Sequence, residues 1–338
     1  MSDLFLHGIQ NVTVDDGARP ITTVRSSTIG LIGSAPEADP LIFPLNKPVL
    51  IAGSRTLAAK LGETGTLPQA LDSIFDQIGA VVIVVRIDEE ETAPATLANV
   101  IGGVDANTGT YEGVHAFLAS ENITGFVPKI LIAPGFTHTR TKAVGATPAT
   151  SNPVVAELIG IAERLKAVIV ADGPNTNDAD AIAYSKDFGS KRVFLVDPKV
   201  LKSVDGETSQ EWASACVAGL IAKSDNDRGW WWSPSNQEIN GIVGTARAID
   251  FAMGDANCRA NLLNEKNITT IIRQQGYRLW GNRTLSSDSK WAFLCVVRTA
   301  DMIDESLKAA HLWAVDRGIT KTYVDDVIEG VNAYLRYL

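Results

Sequence analysis

Residues 80–87 read Ala-Val-Val-Ile-Val-Val-Arg-Ile, an apolar run with almost no polar break. A strand wetted on one face alternates apolar with polar residues. A continuous Val/Ile run is what a strand covered on both faces looks like. Five more short runs share this character, at 29–34, 48–53, 129–134, 167–172 and 192–197. Helix-period segments lie between them. Residues 67–78 carry a proline in the first turn. Residues 153–166 place Val155, Leu158, Ile159, Ala162 and Leu165 at helical spacing, and 178–188 follow Asn177, a cap candidate. Strands alternating with helices predict an α/β fold with a doubly wound, mostly parallel sheet.

The regularity stops at both ends of the chain. Residues 1–25, including Val12, Val14 and Ile21, read as an extended arm. Val12 and Val14 alternate with Thr13 and Asp15, and Pro20 suits a sheet edge. The α/β domain is expected over 26–245, with loop-rich excursions at 88–125 and 136–151. From 246 the pattern changes, and 246–338 reads as a smaller α+β domain. Its expected elements are a strand-rich stretch at 267–281, a strand at 292–297, and helices at 302–316 and 323–337. Thr322 with Asp325 is the expected cap of the last helix.

With 338 residues the chain can bury a substantial core without staples. The formal net charge of -9 and the lack of a dominant basic stripe argue against nucleic acid as a partner. Three cysteines, an odd number and far apart, make neither a disulfide framework nor a zinc site. The N-terminus lacks the pattern of a signal peptide, and no apolar run reaches the roughly 18 residues of a membrane span.

Chemistry in such a sheet belongs beyond the carboxyl ends of the strands. Gly30-x-x-Gly33 lacks the third glycine of a dinucleotide fingerprint, and the stretch from Gly62 to Thr66 lacks the lysine of a phosphate loop, so no cofactor is expected. A hydrolase triad could draw on Asp172, His138 and Ser235, but no nucleophile elbow accompanies them; tight turns are the simpler account. The four histidines are too scattered for a metal site. Trp230-Trp231-Trp232 cannot all face one core. Read as a strand, it sets Trp231 opposite its neighbours, which makes Trp231 an interface candidate. Arg273, Arg278 and Arg283 are interface candidates beside the bland reading of solvated pairs.

Long ordered stretches carry a further signal. Asp172-Gly173-Pro174-Asn175, Phe188-Gly189-Ser190-Lys191-Arg192, WSPSNQEI at 232–239, CRANLLN at 258–264, YRLWGNRTLSSDSKWAFLCVVR at 277–298 and WAVDRGITKTYV at 313–324 resemble the tail sheath proteins of P2-like phages and R-type pyocins. The resemblance implies a subtilisin-like but non-catalytic α/β domain, an inner-layer C-terminal domain and strand exchange through extended termini. It further implies copies of the chain in a helical sheath around a tail tube, baseplate and terminator proteins as neighbours, Lys321 facing the tube, and no membrane, nucleic-acid or cofactor partner. Assembly is expected in the bacterial cytoplasm, with the sheath ending up in a virion or bacteriocin particle. Family members continue beyond the position matching Leu338 into a C-terminal strand arm, so this chain alone is expected to stay monomeric. A hydrolase on the same scaffold and a nucleotide-binding α/β protein are the competing readings.

Overall fold

The computed structural model describes residues 21–140, 149–204, 206–316 and 318–338. The chain divides into two compact units, Arg25–Asp301 and a second made of Met1–Val24 with Met302–Leu338.

In the first unit, the elements in chain order are β1 (Ile29–Ser34), β2 (Pro48–Ala52), α1 (Arg55–Ala58), α2 (Thr66–Phe75), β3 (Val81–Ile87), α3 (Ala93–Ile101), β4 (Gly103–Val104), β5 (Tyr111–Glu112), α4 (Ser120–Thr124), β6 (Ile130–Ile132), α5 (Pro153–Leu165), β7 (Val168–Asp172), α6 (Asp178–Ser185) and β8 (Val193–Val196). Then come the β9 (Val200–Val204)/β10 (Glu207–Glu211) hairpin, α7 (Ala213–Arg228), β11 (Gly244–Thr245), α8 (Arg259–Glu265), β12 (Ile268–Arg273) and β13 (Tyr277–Trp280). The main sheet runs β13-β12-β8-β7-β6-β1-β3-β2. Its six inner strands are parallel, and antiparallel β13 and β2 close the two edges.

Period-2 alternation sorts the inner strands into two cores. Leu31, Val82, Val84, Ile132, Val170, Phe194 and Val196 face α2 and α7. Ile32, Ile83, Val85, Leu131, Ile169, Val193 and Leu195 face α3, α5 and α6. Both faces are covered, which is why the strands read as unbroken apolar runs. Gly219 lets α7 approach α2: a Cβ there would lie 2.8 Å from the Ile74 carbonyl oxygen.

The expected change of domain at 246 has no counterpart in this sheet. β12 pairs with β8 (Ile268 opposite Leu195), so 246–301 extends the α/β unit instead of leaving it. The strand expected at 292–297 is the start of α9 (Leu294–Ala310). Leu294, Val297, Arg298, Asp301 and Met302 all lie on its buried face. Two of those five are charged, so the helical stripe is broken in the sequence and the Val296-Val297 pair reads as strand. The expected helix 302–316 likewise ends at Ala310, followed by a short 3₁₀ turn at Leu312–Ala314.

The described part of the second unit holds the end of α9, that turn and α10 (Lys321–Tyr337), with no strand among its described residues. Thr320, not Thr322, caps α10: its hydroxyl accepts from the Tyr323 N–H at 3.2 Å. Tyr334 is buried, and its hydroxyl meets Thr23 Oγ1 at 3.2 Å. Ser306 Oγ accepts from the Val24 N–H at 3.2 Å. Ile21 is half-buried and in no strand, whereas Val12 and Val14 lie outside the described residues.

Candidate functional site

The crevice at the carboxyl ends of β1, β6 and β7 is where this architecture would place a ligand. Here it is wired for structure. A helix N-terminus attracts anions because its first N–H groups are unpaired. The N-cap residue of α2 is Gly65, which has no side chain to offer. Ser34, at the end of β1, supplies the oxygen: its Oγ accepts from Thr66 N at 3.4 Å, and Thr66 Oγ1 accepts from Ser34 N at 3.1 Å. The N-cap residue of α7 is Trp212, which makes no capping bond. Asp172, at the end of β7, reaches across and accepts from Ser214 N at 2.8 Å and Ser214 Oγ at 2.6 Å. Two strand ends therefore cap two helices in trans and fill the positions an anionic ligand would need.

That wiring excludes the triad. Asp172 turns its oxygens to Ser214 and Thr137, the latter at 3.4 Å, and is fully buried. His138 stacks on Trp212 with ring centroids 4.0 Å apart, and its buried Nδ1 has no hydrogen-bond partner. Lys199 lies 3.6 Å over the same indole. Ser235, far along the chain, accepts from Gly281 N at 3.1 Å and stands in a turn near β13. Burial pushes the Asp172 carboxyl up to about 6, against the pull of its donors. Burial, with the Lys199 ammonium adding to it, pushes the His138 imidazole down to about 4. A nucleophile needs a base beside it, and the hydroxyl that Asp172 holds, Ser214, is sealed in the core. Among the described residues no group of His, Cys, Asp or Glu is placed to hold a metal ion, and no helix is long and apolar enough to cross a membrane.

The interface candidates lie on the outside. Trp230–Trp232 is a turn after α7, not a strand. Trp231 is 54% and Trp232 51% exposed, and Trp231 packs edge-on against Trp230. Arg228 sits over Trp232 and donates to the Ser233 carbonyl at 3.0 Å. The segment that follows runs along β13: Asn236 N donates to Leu279 O at 2.6 Å, and Arg278 Nη1 donates to Asn236 O at 2.9 Å. This joins Arg278 and the chain after the tryptophans at one sheet edge. Arg273 lies over Tyr277 in the same hairpin, and Arg283 lies over Phe293. Lys321 opens α10 and is exposed.

Sequence reasoning missed that Trp232 is as bare as Trp231, and that one side of the apolar stripe of α10 is exposed while Val327 and Val331 are half-buried. Val324, Ile328 and Leu335 are all exposed, as are Leu312 and Ile319 before the helix. The spacing was visible; which side of the helix faces the core was not.

Three family models match in succession: the tail sheath protein Gp18 domain III N-terminal region over residues 26–87, the phage tail sheath protein central domain over 109–285, and the phage tail sheath C-terminal domain over 286–338. A putative prophage major tail sheath protein of Pseudomonas aeruginosa is 46% identical over 99% of this chain and 84% of its own length. The tail sheath protein of Escherichia phage P2 is 36% identical over 100% of this chain and 84% of its own. Among solved structures, the contracted helical sheath of the anti-feeding prophage superposes with a TM-score of 0.66 at 18% identity, covering 98% of this chain and 82% of that one. The contracted sheath of an extracellular contractile injection system, PVC, gives 0.66 at 17%, covering 100% and 83%. These two share the large, mostly parallel α/β fold. The chain belongs to the contractile tail sheath protein family, a family of structural subunits and not of enzymes.

Proposed function

We infer that this chain is the repeating subunit of a contractile sheath, stacking helically around a tail tube and contracting to drive that tube through a target envelope. Its further neighbours would be baseplate and terminator proteins, with assembly in the bacterial cytoplasm. The observation that carries the reading is the contrast between a closed α/β unit and bare apolar residues at 312–335. Exposed apolar surface of this kind marks a place where another protein binds. Contacts that repeat without closing must be heterologous, because only those build an open helix.

The mechanism follows from the same physics. Extended ends that add strands to a neighbour's sheet hold register through backbone hydrogen bonds, each contributing about 0.5–1.5 kcal/mol net. Ordering the arm offsets part of that gain. The contraction itself needs two packings of one sequence separated by a barrier, with more interface buried in the second. No bound nucleotide enters this scheme. The reading of 1–25 as an arm, of the α/β unit as subtilisin-like, and of Trp231, Arg273, Arg278 and Arg283 as interface residues belongs to the same proposal. What supports the scaffold assignment is a parallel sheet wound on both faces, with Asp172 at a strand end as a cap. What supports Lys321 as a tube contact is its exposure at a helix start.

Electron microscopy of the chain, extended through the C-terminal arm that the resemblance implies and produced with its cognate tube, tests the reading. Tubes sheathed in a helical lattice are expected, and Lys321→Glu should reduce tube attachment while leaving the monomer folded. Bare tubes beside dispersed, folded subunits under assembly conditions would overturn it.

A further inference from the structure

Two buried arginine–aspartate pairs hold the first half of α9 in the α/β unit. Arg298 donates from Nη1 to Asp225 Oδ1 at 2.7 Å and from Nη2 to Asp225 Oδ2. The same Nη2 donates to the Ser26 carbonyl at 2.9 Å, and Ser26 Oγ donates to Asp225 Oδ2 at 3.3 Å. Three residues along α9, Asp301 accepts from Arg192 through both oxygens, Nη2 to Oδ1 at 3.0 Å. Arg192 is fully buried and also donates to Glu163 at 3.1 Å and to the Ala167 carbonyl at 3.3 Å. The side chains of Arg298 and Asp225 are each 5% exposed.

The order of signs matters. Residues 298 and 301 share a face of α9, since side chains three apart on a helix are neighbours. They carry opposite charges, and so do their partners. A slip of α9 by three residues one way would set Asp301 against Asp225. A slip the other way would set Arg298 against Arg192. Either leaves like charges facing each other out of water, which is strongly unfavourable. One-turn jumps of a helix past its neighbour are a known way for proteins to switch state. Apolar residues at these positions would pack as well and forbid nothing. Buried ion pairs add little stability over such residues, and their best-attested use is to specify register.

The place matters too. The chain leaves this unit after residue 301 and enters it at residue 25. Arg298 touches both ends, one through its own helix and the other through the Ser26 carbonyl. We propose that the Arg298–Asp225 and Asp301–Arg192 pairs form a register lock, fixing α9 and the chain at Ser26 to the α/β unit. A pull arriving along residues 1–24 or 302–338 is then carried into α7 and the start of β8 and is not lost in sliding of the helix. The purpose, though not the geometry, rests on the reading of the chain as a contracting subunit linked through its ends.

Hydrogen exchange read by mass spectrometry on the 338-residue chain, with the melting temperature alongside, tests it. Arg298→Lys keeps the charge but loses the fork that reaches Asp225 and Ser26 together. It is expected to cut protection tenfold or more in peptides covering 22–28 and 294–301, with β1 and β3 unchanged. Unchanged protection at 22–28 overturns the lock. The double variant Arg298→Met with Asp225→Met removes the burial cost and is the safeguard if the lysine variant folds poorly. It should melt at or above the wild-type temperature and still lose protection at 22–28, a split that a merely stabilising pair would not produce. Retained protection there also overturns the proposal. Because exchange is read on the isolated chain, its failure leaves the sheath reading standing, and bare tubes in the microscope leave the lock standing.

Discussion

In the α/β unit, Leu31, Val84, Phe194 and Val196 are out of reach of water beneath α2 and α7. In the C-terminal segment, Leu312 is 73%, Ile319 85% and Ile328 51% exposed. The first region finishes its own folding. The second spends few apolar residues on itself, with Tyr334 the one buried side chain of α10. A helix draws most of its stability from packing an amphipathic face, not from propensity. In the proposed reading the closed region is the scaffold, and the exposed apolar residues of the open region are its assembly face.

If that division is right, the largest stability losses must come from the closed region. Phe194→Ala empties a fully buried site in a central strand. It should cost about 3–5 kcal/mol, read as a fall in the urea midpoint with an unchanged slope. A loss below about 1 kcal/mol would show a core that collapses readily and would blur the contrast.

Next come the caps in trans. Asp172→Ala leaves the N-terminus of α7 without an acceptor and should cost about 1–2 kcal/mol, the usual range for a lost cap. Its pH dependence carries a sign. The folded Asp172 carboxyl titrates near 6, above the ordinary carboxylate value, because burial disfavours the charged form. Its contribution is fully present below the unfolded value and is lost as pH rises through about 6. The melting-temperature gap between wild type and Asp172→Asn should therefore shrink from pH 4.5 to pH 7.5. His138 behaves oppositely. Its folded value lies near 4, below the ordinary imidazole value, so its contribution is present above the unfolded value and fades as pH falls through about 4. The gap between wild type and His138→Gln should widen over the same rise in pH. Two gaps moving in the same direction would show that burial does not set both groups.

The legibility of the chain follows the same line. The inner strands were readable because burial on both faces leaves continuous apolar runs, and 29–34 matches β1 residue for residue. Helices with one wet face, such as α5, were readable by period. α7 was not: Ala213 through Ala222 is buried all round, so the sequence shows no polar side to betray a period. The start of α9 was hidden because its core face holds Arg298 and Asp301, whose partners Asp225 and Arg192 are distant in sequence. The closed strand ends were only half visible. Missing fingerprints argued against a ligand, but no local pattern pairs Ser34 with Thr66 or Asp172 with Ser214. As for the proposed assembly surface, a helix at 323–337 was expected, while the direction of its apolar face depends on Tyr323, Val327 and Tyr334 turning inward.

The smallest expected change in stability falls on that stripe, and it separates the two regions most sharply. Ile328→Ser with Leu335→Ser removes two apolar side chains that are about half exposed, 51% and 48%. Exposed substitutions of this kind usually stay within about 0.5 kcal/mol, so the isolated chain should melt within a degree or two of wild type. Serine lowers helix propensity slightly relative to leucine, which sets the direction of any residual loss. Assembly should respond quite differently, because contact with a neighbour or tube would give those side chains the burial they lack alone, about 25 cal/mol per Å² of apolar area covered. Counting sheathed tubes per field by electron microscopy, with the C-terminal arm present and protein concentration matched, should show a large drop for the double variant. A melting loss of several kcal/mol would mean that the stripe is already covered within the subunit. Full sheathing at unchanged stability would mean that it covers nothing in the lattice. In either case the contrast between a closed scaffold and an open assembly face would have to be redrawn around the tryptophan turn at 230–232.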